Sequence, residues 1–182
     1  MALTIAVLVG SLRKASFTRK VAHAIASVTP NLDFKHIDIS RITSFNQDLE
    51  ETPPADWVEL RDAVRPADGL LFATPEYNRS VPGVLKNAID VGSRPYGHSV
   101  FSGKPGAVVS VSPGALGGFG ANHHLRQTLA FLDVPCLQQP EMYLNNAGKL
   151  FDDSGKPAEA TVQLLTKFGA AFTAWVERNR KQ

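Results

Sequence analysis

The fold of this chain is decided by the stretch Leu3-Thr4-Ile5-Ala6-Val7-Leu8-Val9-Gly10-Ser11-Leu12-Arg13-Lys14-Ala15-Ser16-Phe17-Thr18-Arg19. Its first seven residues are apolar and have the length of a buried strand, and glycine and hydroxyl residues follow them. Helical spacing begins at Phe17. A buried strand that leads through such a loop into a helix presents free backbone N–H groups at the positive end of that helix. We therefore predict a phosphate-binding loop here.

Three side chains of this loop suit a phosphate group. Ser11 and Ser16 can donate hydrogen bonds to phosphate oxygens, and Arg13 adds a planar cation. The alternative is that Ser16 only caps the following helix, while Arg13 and Lys14 are solvated surface charges. On this stretch alone, both interpretations stay open.

Strand-like and helix-like segments alternate along the rest of the chain. Short apolar runs predict further strands at residues 32–39, 69–73 and 106–111, and a fifth strand within residues 136–144. Apolar residues three or four apart predict helices at residues 17–27, 55–65, 82–91, 119–132 and 157–178. This alternation predicts an α/β fold with a flavodoxin-like, doubly wound, five-stranded parallel sheet and helices on both faces. Ligands of such sheets bind at the carboxyl ends of the strands.

Composition limits the possible functions. The 182 residues, 43% hydrophobic and 20% charged, suit a single domain over residues 1–182. A net charge of +2 with scattered basic residues does not favour a nucleic-acid partner. No apolar stretch is long enough to span a bilayer and no leader pattern precedes the first strand, so we expect a cytoplasmic protein without a membrane partner. Cys136 is the only cysteine and is interpreted as a free buried thiol.

The two other loops at the predicted ligand edge are unusual in composition. Residues 74–83 hold Pro75 and Pro82, which stiffen the loop, and Tyr77 and Asn78, which offer a flat face and hydrogen bonds to a heteroaromatic ring. Residues 112–120 contain four glycines, which permit close backbone approach or positive φ angles. The alternatives are a rigid turn with Glu76 biased towards a helix N-terminus, and a merely flexible connection.

Several common functional patterns are missing. The first loop lacks the Gly-Lys-Ser/Thr ending of a P-loop, and no G-x-G-x-x-G follows the first strand, which disfavours ATP, GTP and a conventionally bound dinucleotide. No G-x-S-x-G elbow supports a hydrolase triad. The adjacent His123 and His124 point about 100° apart on a helix and do not form a metal pair by themselves.

Four parts of the sequence carry a family resemblance: the first loop, the segment Thr74-Pro75-Glu76-Tyr77-Asn78, the run from Ser80 to Asp90 and the glycine-rich third loop. Together they resemble the NAD(P)H-dependent FMN reductase family. Within that family, the chain looks most like the quinone and chromate reductase branch. The resemblance implies that the FMN phosphate is held by loop residues Ser11, Arg13, Ser16, Phe17 and Thr18. It further implies an isoalloxazine ring bordered by Pro75, Glu76, Tyr77 and Asn78, with Ser112 and Gly114 at its other edge.

The chain departs from the family pattern at three positions. Thr18 stands where asparagine is usual, and Val91 stands where tryptophan is frequent. Arg79 follows Tyr77-Asn78 where relatives often carry another residue type. Arg79 is therefore a candidate for substrate binding, either by altering acceptor choice or by attracting the extra phosphate of NADPH.

The resemblance also implies an activity. NADPH or NADH would deliver a hydride through bound FMN to a small-molecule acceptor such as a quinone, with chromate as a further candidate. No catalytic side chain is required, because the cofactor carries the redox chemistry. The family implies a homodimer or homotetramer, with Arg126 and Glu141 as candidates for an interface ion pair. The alternatives are a flavodoxin-like electron carrier, disfavoured by the slightly basic charge, and a module that has lost its flavin.

Overall fold

The fold is built on a five-stranded parallel sheet in the order β2-β1-β3-β4-β5. The computed structural model describes residues 2–180. The strands are β1 (Leu3–Val9), β2 (Leu32–Ile37), β3 (Gly69–Thr74), β4 (Gly106–Val111) and β5 (Met142–Leu144). The order reverses between β1 and β3, which is the switch point of a doubly wound sheet. The predicted flavodoxin-like architecture is confirmed.

Helices cover both faces of the sheet. They are α1 (Phe17–Val28), α2 (Ala55–Val64), α3 (Gly83–Gly92), α4 (Phe119–Phe131) and α5 (Glu159–Asn179), and short 3-10 helices lie at Gln47–Leu49 and Ala147–Lys149. Alternate residues of β1 enter different cores because successive side chains of a strand point to opposite faces. Ile5 and Val7 pack under α1 and α5, whereas Ala6 and Leu8 pack under α2, α3 and α4. Burial on both faces explains why β1 is apolar throughout.

Element ends differ from the predictions where proline or an edge intervenes. Helix α3 begins at Gly83 because Pro82 occupies the N-cap in an extended conformation, with ψ of 140°. Strand β2 ends at Ile37, although Ile39 beyond it is also buried. Strand β5 has only three residues, which pair with Val109–Val111 after the cis Gln139–Pro140 bond. Within residues 2–180, no helix is both long and apolar enough to cross a bilayer.

The carboxyl ends of the central strands bring three connections to one edge. We call them loop 1 (residues 10–16, after β1), loop 2 (75–82, after β3) and loop 3 (112–118, after β4). Loop 1 is held against the neighbouring strand β3, because Gly10 N donates to Ala73 O at 2.8 Å. Parallel pairing thus places the three predicted ligand loops side by side.

Candidate functional site

A cavity of about 250 Å³ opens where loops 1, 2 and 3 meet. All the predicted cofactor residues except Asn78 and Gly114 line it. Val111, Pro113 and Ala147 also line it, although the sequence patterns did not single them out. The full lining is Ser11, Arg13, Ser16, Phe17, Thr18, Pro75, Glu76, Tyr77, Val111, Ser112, Pro113 and Ala147.

Loop 1 brings hydroxyls and a helix N-terminus to this cavity. Ser16 is the N-cap of α1, and its Oγ accepts a hydrogen bond from Arg19 N at 3.2 Å. Arg19 Nη2 donates to Ser11 O at 3.2 Å and so holds the loop against the helix. Arg13 is exposed, and its side chain has no partner among residues 2–180. The loop therefore presents a free cation beside the positive end of a helix.

The Ser16 hydroxyl is a helix cap in this structure, and its geometry is also compatible with the predicted phosphate contact. In its bond to Arg19 N the oxygen acts as acceptor, which leaves the hydroxyl hydrogen free. Ser16 is 3% exposed and lines the cavity. One side chain can therefore cap α1 and also donate a hydrogen bond to an anion at the helix end.

Loop 2 contains a tight two-residue reversal. Tyr77 N donates to Ser80 O at 3.1 Å, and Ser80 N donates to Tyr77 O at 3.0 Å. The two residues between them are left-handed, with φ of 50° at Asn78 and 63° at Arg79. This is the geometry of a type I′ turn, in which asparagine is favoured. Backbone conformation thus accounts for Asn78 without a ligand, and a role for its side chain at the ring stays a prediction.

Glu76 joins loop 2 to the start of α4. Its Oε2 accepts from Ala121 N at 3.0 Å, and its Oε1 lies 3.4 Å from Arg79 Nη1. The side chain is 12% exposed. A carboxylate at the first turn of a helix is stabilised by the free N–H groups and the helix dipole. Glu76 therefore does face a helix N-terminus, but the helix is α4 rather than the one that follows it in sequence.

Gly120 permits this contact. A Cβ at position 120 would lie 2.8 Å from Arg79 O and 2.9 Å from Glu76 Oε2. Distances under about 3 Å for such carbon–oxygen pairs are steric clashes. Loop 2 can approach α4 this closely only because residue 120 has no side chain.

Loop 3 uses its glycines at particular positions. Gly117 and Gly118 have φ of 60° and 79°, which are unfavourable for other residues. A Cβ on Gly117 would lie 2.6 Å from the Tyr143 carbonyl carbon. Gly114 N donates to Ser112 Oγ at 3.1 Å, so Gly114 orients a residue that lines the cavity. Direct contact between Gly114 and a cofactor stays a prediction.

A buried polar network lies beneath loop 3. Asn122 Nδ2 donates to Ser110 Oγ at 3.2 Å and to Met142 O at 3.4 Å, and Asn122 Oδ1 accepts from Arg126 Nε at 2.9 Å. Asn122 is fully buried. The available sequence signal was its place three residues before Leu125 on the buried stripe of α4. A polar residue in such a stripe calls for internal partners.

The candidate interface residues both have partners within the chain. Arg126 Nη1 donates to Leu137 O at 2.9 Å, and Glu141 Oε1 accepts from the Tyr143 hydroxyl at 2.8 Å. Burial, followed by the hydrogen bond to Glu141, raises the pKa of Tyr143 to about 12. His123 Nε2 also contacts the Tyr143 hydroxyl, at 2.9 Å. An Arg126–Glu141 pair between subunits stays a prediction.

Clefts of about 300–470 Å³ also lie elsewhere on the surface of residues 2–180. One of about 390 Å³ opens at the amino end of β3, and one of about 470 Å³ lies beside β2. In the second cleft His23 and His36 stack with ring centroids 4.2 Å apart, next to Arg19. Neither cleft lies at the switch point between β1 and β3. The smaller cavity is the better candidate because it combines that position with a helix N-terminus and the three loops.

Comparison with known proteins identifies relatives over nearly the whole chain. A family model described as "NADPH-dependent FMN reductase" matches residues 3–149. A quinone reductase of Pseudomonas putida is 58% identical over 179 residues, which are 97% of this chain and 96% of that protein. A 2-hydroxy-1,4-benzoquinone reductase of a Burkholderia species is 45% identical and covers 99% of this chain and 100% of its own.

A solved structure shares the whole fold. FerB of Paracoccus denitrificans, described as a flavoenzyme NAD(P)H:(acceptor) oxidoreductase, superposes with a TM-score of 0.93 at 35% identity. The match covers 99% of this chain and 100% of FerB. Sequence and structure therefore agree over nearly the full length. The chain belongs to the NADPH-dependent FMN reductase family.

Proposed function

We propose that this protein is an FMN-dependent NAD(P)H oxidoreductase that reduces quinones. The observation that carries the proposal is the convergence of loops 1, 2 and 3 on one cavity at the N-terminus of α1. That cavity suits FMN because it pairs an anion-binding helix end with a flat aromatic side chain, Tyr77. The names of the two similar reductases and of FerB support the quinone acceptor and the nicotinamide donor.

Each loop has a distinct task in this proposal. Ser11, Ser16 and Arg13, with the first N–H groups of α1 near Phe17 and Thr18, would hold the phosphate. Pro75, Glu76 and Tyr77 of loop 2 and Ser112 of loop 3 would border the ring, and Asn78 and Gly114 would complete the two edges. When bound, FMN supplies the hydride transfer between donor and acceptor. The protein contributes binding, orientation and a restricted opening to solvent.

The proposed function also includes an oligomeric state and a cellular location. We place the activity in a single domain spanning residues 1–182, in the cytoplasm, in a homodimer or homotetramer. In that assembly, Arg126 and Glu141 would pair across the interface. Light scattering tests this, because a stable monomer at micromolar concentration contradicts it. Glu141→Gln, which keeps the acceptor for the Tyr143 hydroxyl, should weaken the assembly if the charge pairs between subunits.

The central experiment uses the purified protein. We expect a yellow protein that releases FMN on denaturation, is bleached by NADPH or NADH without a protein partner, and regains colour when a quinone is added. Flavin that neither nicotinamide bleaches would support the electron carrier instead. A colourless protein that cannot be reconstituted with FMN would contradict both the oxidoreductase and the electron-carrier hypotheses. Chromate belongs in the same assay as a further acceptor.

Substitutions in loop 1 test the phosphate assignment. We expect Arg13→Ala and Ser16→Ala each to weaken FMN binding by about 1–3 kcal/mol, the range for a lost charge-assisted hydrogen bond. Lys14→Ala is the matched control, because Lys14 is an exposed neighbour that does not line the cavity. Fluorescence titration of the apoprotein with FMN measures the difference. Equal FMN affinities in all three variants and the parent would refute the assignment.

A further inference from the structure

Arg79 is not part of the cavity lining, but it contacts the lining residue Glu76 at the solvent-exposed side of the cavity, and its backbone conformation is unusual. Its φ of 63° is left-handed, a region that is unfavourable for a residue with a long side chain. The paired hydrogen bonds between Tyr77 and Ser80 hold the turn, and Arg79 O packs against Gly120. The position of this arginine is therefore fixed by the protein, and its guanidinium is presented to solvent from a rigid support.

The guanidinium lies close to where an acceptor ring must enter. Arg79 Nη1 is 3.4 Å from Glu76 Oε1, and Glu76 lines the cavity. The Arg79 side chain is 75% exposed, so most of its five N–H donors are unused. Tyr77, two residues earlier, also lines the cavity and is 47% exposed. The mouth therefore offers a cation beside a flat aromatic face.

Glu76 offsets part of the positive charge of Arg79, because the two side chains form an ion pair at 3.4 Å. Arg13 and Glu76 are the only charged residues of the lining. Arg13 belongs to the phosphate end of the site. The Glu76 carboxylate is largely buried and already accepts a hydrogen bond from Ala121 N at the start of α4. Arg13, Arg79 and Glu76 together carry a net charge of +1, so a molecule that approaches Tyr77 from solvent meets a positive potential.

We propose that Arg79 makes the acceptor site prefer quinones that carry an ionised acidic substituent, such as a sulfonate, a carboxylate or an ionised hydroxyl group. This inference rests on the proposed quinone reduction. In the overall reaction NAD(P)H gives up a hydride and solvent supplies one proton, so the quinone gains two electrons and two protons. The ionised substituent is unchanged and serves only as the partner of Arg79.

An acceptor substituent is a better partner for Arg79 than the 2′-phosphate of NADPH. The acidic substituent of a quinone is attached to the reacting ring itself. The 2′-phosphate is separated from the nicotinamide ring by two riboses and a pyrophosphate. Arg79 contacts Glu76, which lines the cavity, so we expect it to pair with a substituent on the reacting ring rather than with a phosphate at the far end of the dinucleotide.

The test compares 1,4-naphthoquinone-2-sulfonate with neutral 1,4-naphthoquinone on the FMN-loaded enzyme. For each enzyme, kcat/KM for the sulfonate is divided by kcat/KM for the neutral quinone. The ratio of the variant is then compared with that of the parent, so that the intrinsic reactivity of the quinones cancels. We expect Arg79→Gln to lower this ratio about 5- to 10-fold, as for the loss of one partly solvated charge contact. Arg79→Lys should retain most of the preference. Salt at 0.5 M should reduce the preference of the parent, because screening weakens exposed charge interactions.

Arg65→Gln is the matched control, since it removes the same charge from an exposed residue near the amino end of β3. An unchanged ratio in Arg79→Gln, or an equal loss for both quinones, overturns the inference and leaves Arg79 as a turn residue. An increased KM for NADPH but not NADH, with the ratio unchanged, also overturns it. A parent enzyme that binds FMN and reduces neither quinone defeats the proposed function itself, an outcome distinct from an unchanged ratio.

Discussion

Replacing Gly120 by alanine tests whether the contact between loop 2 and α4 shapes the site. Helix propensity alone predicts a gain of about 0.5–1 kcal/mol in the free energy of unfolding, since Gly120 lies within α4. The structure predicts the opposite sign. The new Cβ would meet Arg79 O at 2.8 Å and Glu76 Oε2 at 2.9 Å.

The expected decrease in the free energy of unfolding depends on which atoms must move to make room for the new Cβ. Arg79 O belongs to a turn held by two backbone hydrogen bonds, so it cannot retreat without breaking them. Movement of the Glu76 carboxylate would break its bond to Ala121 N, which is worth about 1.5–3 kcal/mol as a hydrogen bond to a charged group. After subtraction of the propensity gain, we expect a net loss of about 1–2 kcal/mol. Displacement of loop 2 should also weaken FMN binding about tenfold, or 1.4 kcal/mol.

Gly83→Ala provides the control. Gly83 begins α3, and a Cβ there would meet no atom within 4 Å. We expect this variant to be as stable as the parent or up to about 1 kcal/mol more stable, with unchanged FMN affinity. Urea denaturation of the apoproteins and fluorescence titration with FMN measure both quantities. A Gly120→Ala protein that matches Gly83→Ala in both assays would refute the steric argument.

Three further predictions concern groups outside the loops. Asn122→Ala should lower the free energy of unfolding by about 2–3 kcal/mol, because its buried partners lose their hydrogen bonds; urea denaturation checks this, and a loss under about 0.5 kcal/mol contradicts it. Burial raises the pKa of Cys136 to about 11, so Ellman's reagent at pH 8 should label the folded protein roughly 100-fold more slowly than the urea-unfolded chain. Burial and, after it, electrostatic repulsion from His23 and Arg19 lower the pKa of His36 in the folded protein. In the unfolded chain the imidazole takes up its proton near pH 6.5. Stability should therefore fall as the pH drops below about 6.5, and His36→Gln should flatten that dependence in denaturation curves from pH 7 to 5.

The fold was predictable because its signals are local. Strand β1 is apolar at every position, and Ser16 is an N-cap directly before a helical pattern, so both could be recognised within a few residues. Strand β5 was the hardest element to place. Its three residues are paired only with β4 and follow a cis proline bond, and neither feature produces a long apolar run.

The site was predictable only in part because its decisive contacts join distant residues. The lining of loops 1 and 2 followed from composition and resemblance. The bond from Ala121 N to Glu76 spans 45 residues, and the bond from Asn122 to Met142 spans 20. No spacing rule relates such pairs. Ala147 lines the cavity, and its N–H donates to Ser112 O at 3.2 Å, which ties the segment after β5 to loop 3.

The same contacts imply that the cavity exists before any cofactor binds. Loop 1 is tied to β3 through Gly10 N, loop 2 to α4 through Glu76, and loop 3 to β5 through Ser112 N, which donates to Leu144 O at 2.9 Å. The bonds of Gly10 N and Ser112 N use backbone groups that point between strands, and the bond to Glu76 uses only one oxygen of its carboxylate. Binding therefore loses little free energy to loop ordering, so more of each contact appears as affinity. The exposed Arg13 and Arg79 are the exceptions, because Arg13 has no partner among residues 2–180 and Arg79 has only the long 3.4 Å contact with Glu76, so both guanidinium groups have donors free for a bound anion.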